Sequence, residues 1–231
     1  MKRILVCEDE EAIRDFVVIN LSRAGYDVVD VASGEEAVQV YNQQEGRFDV
    51  ALLDIMMPGM DGFSLCRWIR EQSSEIGIIM LSAKSQEMDK VNCLMIGADD
   101  YVTKPFSPSE LVARVDAIYR RVNINSARRE EPKTVVSGPF VLDCQSRTVK
   151  KNGEDIELTQ VEYHIMEYLL KNSNTALDRK TILRHIWGDA YYGDDKVVDV
   201  NIRRLRMKIE DDPSNPGYIQ TIWGFGYKWN V

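Results

Sequence analysis

The sequence predicts two domains: a larger α/β domain built on a doubly wound, parallel, five-stranded sheet, and a smaller α+β domain after it. Three observations support this prediction. In the first half, five short runs rich in Val, Ile and Leu alternate with stretches of helical period, a pattern typical of successive βα units. In the second half, short strands precede three helices and a closing hairpin. Between them, the segment "NINSARREEPK" at 123–133 lacks apolar periodicity and has the composition of a linker.

The five predicted strands of the first domain are short. They cover 3–7, 27–32, 48–54, 76–82 and 99–105. The apolar face of the first helix consists of Ile13, Phe16, Val17, Leu21 and Ala24. Capping boxes predict two further helix starts, Ser33 with Glu36 and Ser107 with Glu110, and Pro108 strengthens the second. The remaining helices are expected at about 61–71 and 86–96.

The second domain begins with strands at about 135–158, continues with three helices and ends with the hairpin "YIQTIWGFGYKW" at 218–229. A small helical domain that closes on a β-hairpin is typical of a winged helix-turn-helix. We therefore expect a first domain at 1–121, a linker at 122–133 and a second domain at 134–231.

Composition excludes several classes of protein. With 231 residues, 44% of them hydrophobic, the chain can bury a core. Its longest apolar runs are far shorter than the roughly 18 residues of a membrane span, and Glu8 and Asp9 come too early for a secretory signal. We expect a cytoplasmic protein with no membrane partner. The four cysteines form no Cys-x-x-Cys pair, which indicates neither a zinc site nor a disulfide framework.

The net charge of -8 is unevenly distributed. Residues 1–121 contain 21 acidic and 13 basic residues, whereas 122–231 contain 16 of each. Within the second half, "KVVDVNIRRLRMK" at 196–208 has five basic residues and one acidic residue. An acidic chain thus contains a local basic segment, which the isoelectric point of the whole chain hides.

Polar residues collect at the ends of the predicted strands. Glu8 and Asp9 follow the first strand, and Asp54 ends the third. Ser82 ends the fourth, and Lys104 ends the fifth. Ligands bind at this carboxyl edge of open parallel sheets. For any one of these residues, the ordinary polarity of strand ends is the better explanation, but five of them at one edge favour a site.

The charge of this cluster indicates its chemistry. Three neighbouring carboxylates raise each other's pKa and favour a hard cation, and oxygen ligands with few protein contacts suit Mg²⁺. A bound metal leaves room for phosphoryl oxygens, and Lys104 can neutralise the remaining charge. Asp54 is then the nucleophile that forms an aspartyl phosphate. Ser82 can hydrogen-bond a phosphoryl oxygen, and Tyr101 is placed so that its ring could follow that shift.

Four motifs, in this order and at these spacings, resemble the receiver domain of bacterial two-component response regulators: "CEDEE", "LLDIMMPGMDG", "IIMLSAK" and "GADDYVTKPF". The resemblance covers about 2–121 and implies a flavodoxin-like fold in which a sensor histidine kinase phosphorylates Asp54. The implied Mg²⁺ ligands are Glu8, Asp9, Asp54 and the Met56 carbonyl. Ser82 and Tyr101 would be the switch pair. Lys104 would contact the phosphoryl group, with a cis peptide bond to Pro105.

Resemblance to the OmpR/PhoB-type subfamily further implies that phosphorylation produces a two-fold receiver dimer. The expected pairs, on the last two helices and the strand between them, are Lys90–Glu110, Asp100–Arg114 and Asp99–Arg121. An isologous interface uses each pair twice. By hypothesis, the phosphate pulls Ser82 and Tyr101 inward and shifts the population towards the dimer. On a monomer, these charges would be an ordinary solvated face.

The basic segment reads as an amphipathic helix. Val198, Ile202, Leu205 and Ile209 fall within about 60° on a helical wheel and predict a stripe that faces the core. The side chains expected on the opposite face are Lys196, Val200, Arg203, Arg204 and Met207. Valine offers a contact for a thymine methyl group, and arginines suit guanine edges or phosphates, as a major-groove helix requires. The alternative is an ordinary solvated face on which Asp199 pairs with Arg203.

Residues 134–231 resemble the OmpR/PhoB-type winged-helix effector domain through "LTQVEYHIMEYLL", "LRHIWG", "VVDVNIRRLRMKIE" and "YIQTIWGFGYKW". The resemblance implies promoter DNA as a partner, with Val200, Asn201 and Arg204 near bases. Contacts to the DNA backbone would come from Lys196, Arg203, Arg206 and Thr221. Trp223 replaces an Arg that several relatives insert into the minor groove, so Lys228 or Trp223 would act at the sugar edge. The loop "GDAYYGDDK" resembles the segment that relatives offer to RNA polymerase, although its tyrosines suit internal packing equally.

Two other functions share parts of this pattern. Phosphohydrolases that act through an aspartyl phosphate use a second acid two residues after the nucleophile. Met56 stands there instead, so a lasting phosphate is expected rather than a turnover enzyme. A DNA-binding protein whose receiver no longer takes phosphate usually lacks one of the acids or the lysine, and this chain has all of them.

Overall fold

The structure is a computed structural model that describes residues 2–83, 87–123, 134–189, 191 and 193–230, without the side chains of 87–90 and 121–123. The chain divides into two compact units, Met1–Val122 and Asn123–Val231. Within the described ranges, no helix is both long and apolar enough to cross a membrane.

The first unit contains a parallel sheet of five strands in the order β2-β1-β3-β4-β5. The strands are β1 (Arg3–Cys7), β2 (Asp27–Val31), β3 (Val50–Asp54), β4 (Gly77–Ser82) and β5 (Asp100–Thr103). Strand β2 lies on one side of β1, and the chain then crosses back over β1 to form β3 on its other side. Right-handed crossovers in these two directions place helices on both faces of the sheet. Strands β1, β3 and β4 are almost completely buried. The predicted doubly wound α/β fold is confirmed.

The helices of this unit are α1 (Glu11–Arg23), α2 (Gly34–Gln43), α3 (Gly62–Gln72), α4 (Glu87–Met95) and α5 (Pro108–Asn123). Ser33 caps α2 by accepting a hydrogen bond from the Glu36 amide at 3.2 Å. The Glu36 carboxylate accepts from the Ala32 amide, one residue before the partner that a strict capping box requires. Ser107 likewise caps α5, at 3.2 Å from the Glu110 amide. Both predicted helix starts are therefore correct.

The second unit begins with an antiparallel sheet and ends with a hairpin. The first sheet has the order β6 (Thr134–Ser137), β7 (Phe140–Asp143), β8 (Thr148–Lys151) and β9 (Glu154–Ile156). The helices are α6 (Gln160–Lys171), α7 (Arg179–Trp187) and α8 (Lys196–Ile209). The hairpin strands β11 (Ile219–Ile222) and β12 (Gly226–Trp229) form a second sheet with β10 (Ala176–Asp178). This arrangement confirms the predicted winged helix, in which β11 and β12 are the wing.

Candidate functional site

The carboxyl edge of the parallel sheet brings the predicted acids together. Glu8 and Asp9 follow β1, and Asp54 is the last residue of β3. One carboxylate oxygen from each residue lies within 4.8 Å of the other two. Glu8 and Asp54 are buried, whereas Asp9 is exposed. The three acids therefore form a cluster that is open to solvent on the Asp9 side.

Lys104 is the cation of this cluster. Its Nζ atom lies 2.7 Å from Glu8 Oε2 and 3.0 Å from Asp54 Oδ1. The Lys104 amide donates to the Ser82 carbonyl at 2.7 Å, which holds the residue beside the end of β4. The Lys104-Pro105 peptide bond is cis, as predicted. Among the described residues, this one ammonium group contacts two of the three clustered carboxylates, so the three acids outnumber the cation that compensates them.

This excess charge suits a divalent cation. Burial raises the pKa of Glu8, and the Asp54 charge adds to that effect, whereas Lys104 opposes it. Glu8 Oε2 and Asp54 Oδ1 are buried and accept no hydrogen bond from the described residues, although both lie within ion-pair distance of Lys104. Oxygen ligands with unused acceptor capacity are what Mg²⁺ prefers. The residues present therefore fit the predicted ion.

The turn after Asp54 is held close to the strand end. A Cβ atom on Gly62, the first residue of α3, would lie 2.0 Å from the Asp54 carbonyl oxygen, so only glycine permits this approach. Asp61 caps α3 by accepting from the Ser64 amide at 2.7 Å. Glu35 on α2 accepts from the Met60 amide at 2.9 Å. Sequence reasoning missed Glu35, because no local pattern links it to this turn.

The predicted switch residues both lie near this edge. Ser82 ends β4, and its backbone pairs with Thr103 in the register of β5. Tyr101 lies on β5 two residues before that position. Both side chains are buried in this structure. Any phosphate-driven rearrangement would therefore start from side chains that already lie inside the protein.

Four of the predicted dimer residues form ion pairs within the same chain. Asp99 pairs with Arg70 of α3 and accepts from the Ile78 amide at 2.8 Å. Asp100 accepts two hydrogen bonds of 3.1 Å from Arg114 Nη1. Arg114 also donates to Glu110 at 2.9 Å.

Two parts of the dimer prediction change accordingly. The view of these side chains as a solvated face is wrong for Asp99, Asp100 and Arg114, because all three are buried. Asp99 has Arg70 as its partner, which sequence spacing could not indicate because the two residues lie in different elements. The side chains of Lys90 and Arg121 lie outside the described residues.

Helix α8 presents a narrower basic face than the helical wheel predicts. Lys196, Arg203 and Met207 are exposed, and the predicted core stripe is buried. Val200, Asn201 and Arg204, which the resemblance places near DNA bases, are buried, with only 7% of Arg204 exposed. The expectation that Val200 and Arg204 face solvent is therefore wrong, because tertiary neighbours cover those positions.

The neighbour of Arg204 is Glu162, in the first turn of α6. Arg204 Nη2 lies 2.8 Å from Glu162 Oε1, and Lys208 Nζ lies 2.7 Å from Glu162 Oε2. Asn201 donates to the Val197 carbonyl at 2.8 Å and so bonds to its own helix. Sequence reasoning missed Glu162, because a Glu three residues after Thr159 reads as a capping box. That capping box is also present.

The wing is joined to α8 at its base. Arg206 donates to the Ile219 carbonyl at 2.6 Å and to the Thr221 hydroxyl at 2.9 Å. Both predicted backbone-contact residues thus have an internal role. At the tip of the wing, Trp223 is 92% exposed, and Lys228 lies half-buried on β12.

Two alternatives from the sequence are partly resolved. Asp199, which could have held Arg203, instead accepts from Arg179 Nε and from the Tyr227 hydroxyl, each at 2.7 Å. In the loop before α8, Tyr191 is buried, with its ring 5.9 Å from that of Trp187. Tyr191 therefore packs internally, and Tyr192 lies outside the described residues.

Two family models match the chain. Residues 4–116 match the response regulator receiver domain, and residues 153–229 match the family described as transcriptional regulatory protein, C terminal. The receiver match contains all seven residues of the predicted phosphorylation and metal site: Glu8, Asp9, Asp54, Met56, Ser82, Tyr101 and Lys104.

Solved structures of similar proteins cover the whole chain. DrrB, a Thermotoga maritima OmpR/PhoB homologue, is 35% identical with 100% of both chains covered and a TM-score of 0.51. A RitR mutant is 27% identical over 99% of both chains, with a TM-score of 0.75. The receiver domain of the Francisella response regulator 1452 is 36% identical, covers 53% of this chain and 100% of its own, and has a TM-score of 0.50.

Proposed function

Because the chain belongs to the OmpR/PhoB-type response regulators, we propose that it regulates transcription through a phosphoryl group that a sensor histidine kinase transfers to Asp54. The receiver would be 1–121, the linker 122–133 and the DNA-binding domain 134–231. One observation supports this proposal above others: a buried, hydrogen-bond-poor Asp54 oxygen faces Lys104 within an acid cluster. A carboxylate in this position can act as a nucleophile, and the Lys104 ammonium group beside it can compensate the charge.

The phosphorylation step follows from the positions of these side chains. Asp54 Oδ attacks phosphorus, the new O–P bond forms, and the P–N bond to the kinase histidine breaks with its electron pair going to the imidazole. Lys104 Nζ can then leave Asp54 and donate to a phosphoryl oxygen. Glu8, Asp9, Asp54 and the Met56 carbonyl would hold Mg²⁺, which when bound neutralises charge on the phosphoryl oxygens.

The phosphoryl group should persist rather than turn over. Met56, two residues after the nucleophile, cannot act as a general acid, and its side chain is 59% exposed. Without a proton donor at that position, the site lacks the group that would expel an alcohol from a phosphomonoester. The architecture of a receiver joined to a DNA-binding domain is itself typical of a regulator that does not turn over substrate.

A cavity beside the acid cluster offers a place for the kinase. Its volume is about 650 Å³, and its wall includes Ile13 and Phe16 of α1 together with Phe106 after β5. The Phe16 and Phe106 rings lie 6.0 Å apart. An apolar groove that opens next to the nucleophile suits a helix that carries a phosphohistidine.

We further propose that phosphorylation promotes a receiver dimer through the face of α4, β5 and α5. Asp99 and Asp100 already have partners within the chain, Arg70 and Arg114. Glu110 is likewise paired with Arg114, so dimer formation would exchange these internal partners, with Lys90 pairing with Glu110 and Arg121 with Asp99. Moving two receivers together would raise the local concentration of their DNA-binding domains.

For DNA binding, the side chains of α8 best placed are Lys196 and Arg203, because both are exposed. Arg206 and Thr221 would serve mainly to align the wing with this helix, and Lys228 or the exposed Trp223 would meet the sugar edge. The partner proposed for α8 is promoter DNA in the major groove. RNA polymerase is a further proposed partner, through the loop at 188–196.

Phosphate incorporation tests the proposal. Full-length protein is incubated with Mg²⁺ and labelled acetyl phosphate, then separated by gel filtration and assayed on promoter DNA. We expect label, dimer and tighter DNA binding in the wild type, and none of these responses in Asp54→Asn. Asp15→Asn, on the exposed side of α1, makes the same change of charge and should behave like the wild type.

Two results would contradict the proposal. Label that remains in Asp54→Asn would assign the phosphate to another residue. Repeated turnover of unrelated phosphomonoesters would instead make the protein a phosphohydrolase.

A further inference from the structure

The proposed function does not explain the contacts of Glu162, a buried side chain of α6. It is fully buried, and its carboxylate lies against two cations of α8, with Arg204 Nη2 at 2.8 Å and Lys208 Nζ at 2.7 Å. The same carboxylate accepts from the Thr159 amide at 2.9 Å. Burial alone would raise the pKa of Glu162, but Arg204 and Lys208 hold it below its usual value, so the group is ionised at neutral pH.

The two cations fix the rotation of α8 about its axis. Arg204 and Lys208 are four residues apart, so they lie on one flank of the helix, about 40° from each other. Arg206 lies roughly 180° from the middle of that flank and is bonded to the wing. The helix is therefore held on two opposite sides, by α6 and by β11.

The rotation decides which arginine faces solvent. Arg203 and Arg204 are consecutive and therefore point about 100° apart on a helix. Arg203 is exposed with Lys196 and Met207, whereas Arg204 is buried. The helical wheel places both arginines on one face, and the resemblance places Arg204 near bases and Arg203 at the DNA backbone, so the sequence does not predict that Arg204 is the buried one. The contact with Glu162 is what separates them.

Stability alone is a weak reason for this arrangement. A buried ion pair can often be replaced by apolar side chains with no loss of stability, and its best-attested use is to fix one register among several. We propose that Glu162 is a positioning residue for DNA recognition, which holds Arg204 inside the protein and leaves Arg203 as the arginine that α8 offers to DNA. This inference rests on the proposed function, and it concerns how the DNA-contacting face is chosen.

The test compares specific with non-specific binding. DNA sites are selected from random sequence with the full-length wild type, and affinities for a selected and a scrambled site are measured over a range of salt concentrations. For Glu162→Gln we expect the ratio of the two affinities to fall about tenfold, the discrimination that one base pair carries. The salt dependence should stay unchanged, because no phosphate contact is lost.

Glu167→Gln is the matched control. Glu167 lies on the same helix and makes the same kinds of contact, but its partners His164 and Lys171 belong to α6. Its substitution should leave the ratio of affinities unchanged. A merely destabilising effect would lower both apparent affinities by the same factor, the folded fraction, and would leave their ratio unchanged. The folded fraction of each variant is measured by circular dichroism under the same conditions.

A second variant covers the case in which Glu162→Gln does not fold. Lys208→Met removes one partner of Glu162 but leaves Arg204 paired, so no buried charge is stranded. We expect a smaller fall in the ratio, in the same direction. Arg203→Ala should lower the ratio of affinities at least as far as Glu162→Gln does, whereas Arg204→Met should leave that ratio unchanged.

Each outcome has one meaning. If the folded Glu162→Gln and Lys208→Met variants keep the wild-type ratio, Glu162 is not a positioning residue. If Arg204→Met lowers the ratio and Arg203→Ala does not, Arg204 is the arginine that reads DNA and the proposal is refuted. A wild type that selects no sequence would refute the proposed DNA-binding function itself, independently of Glu162.

Discussion

Glu8 in the receiver and Glu162 in the DNA-binding unit are both fully buried glutamates, yet their surroundings carry opposite charge. Glu8 shares Lys104 with Asp54, Asp9 lies beside both acids, and burial raises the pKa of Glu8. Glu162 has two cations to itself, and its pKa is lowered despite burial.

The difference separates a ligand site from an internal brace. A buried carboxylate without enough positive charge nearby lowers the stability of the folded state until a cation binds. Such a group is therefore typical of a binding site. A buried carboxylate with more than enough compensation needs nothing from outside and instead ties elements together. Burial identifies both glutamates as unusual, and only the local charge balance distinguishes their roles.

Among the changes that test this contrast, Glu162→Gln should have the largest effect on stability. Removing the carboxylate takes away the counter-charge of the buried Arg204, although Asn201 still accepts a hydrogen bond from it at 3.4 Å, and breaking a buried ion pair costs about 3–5 kcal/mol. We expect that loss in the DNA-binding unit and none in the receiver, measured by urea-dependent hydrogen exchange of the full chain with peptides from each unit read separately. Equal protection in wild type and variant would show that Glu162 is not a brace.

Mg²⁺ should have the next largest effect, confined to the receiver. A ligand at 100 times its dissociation constant stabilises the folded state by about 2.7 kcal/mol. Hydrogen exchange with and without saturating Mg²⁺ should therefore show slower exchange in β1, β3 and β4 and no change in α6 or α8. Asp9→Asn, which removes the exposed ligand but leaves the buried acids, should abolish most of the gain; a gain of the same size would place the ion elsewhere.

Glu8→Gln, measured without Mg²⁺, should have the opposite sign to Glu162→Gln. Because the pKa of Glu8 is raised, its charge destabilises the folded state at neutral pH. Neutralising it should stabilise the receiver by roughly 0.5–2 kcal/mol, in the range common for relieving strained sites. The same variant should no longer bind Mg²⁺ or take up phosphate. A receiver that loses stability would mean that the pair with Lys104 outweighs the cost of burial.

Mild acid should produce the smallest effect. Down to about pH 4.5 it should stabilise the receiver and leave the contributions of Glu162 and Glu167 to the second unit unchanged. As pH falls from 7 towards 4.5, folded Glu8 takes up a proton before the unfolded chain does, so its contribution stabilises the receiver. Glu162 and Glu167 have lowered pKa values, so their stabilisation persists above about 4.5. It is lost below that, as pH falls towards about 2 for Glu167. The difference between wild type and Glu8→Gln, measured by hydrogen exchange from pH 7 to 4.5, should shrink steadily; a constant difference would rule out titration of Glu8.

Much of the receiver could be predicted because its signals are local. The strand runs, the helix caps at Ser33 and Ser107, and the acids at strand ends all follow from residues close in sequence. Parallel topology then brings the strand ends to one edge by necessity. The alternation of strands and helices therefore sufficed to place Glu8, Asp54 and Lys104 together.

The outer charged surfaces could not be predicted in the same way. A helical wheel shows which side chains share a face of α8, but whether another element covers that face depends on contacts between distant residues. Arg204 meets Glu162 42 positions away in sequence, and Asp99 meets Arg70 29 positions away. Neither pairing has a local pattern, so both lay beyond the reach of sequence periodicity.

By itself, the sequence determined the order of elements and the edge where the acids converge, because both depend on spacing along the chain. Only the tertiary structure decided which charges remain free for a ligand. Lys104 is the partner of both Glu8 and Asp54, whereas Glu162 pairs with two cations. Of the two neighbouring arginines on α8, Arg204 is buried and Arg203 is exposed. Electrostatic compensation acts through space, and its outcome depends on which side chains folding brings within a few ångströms.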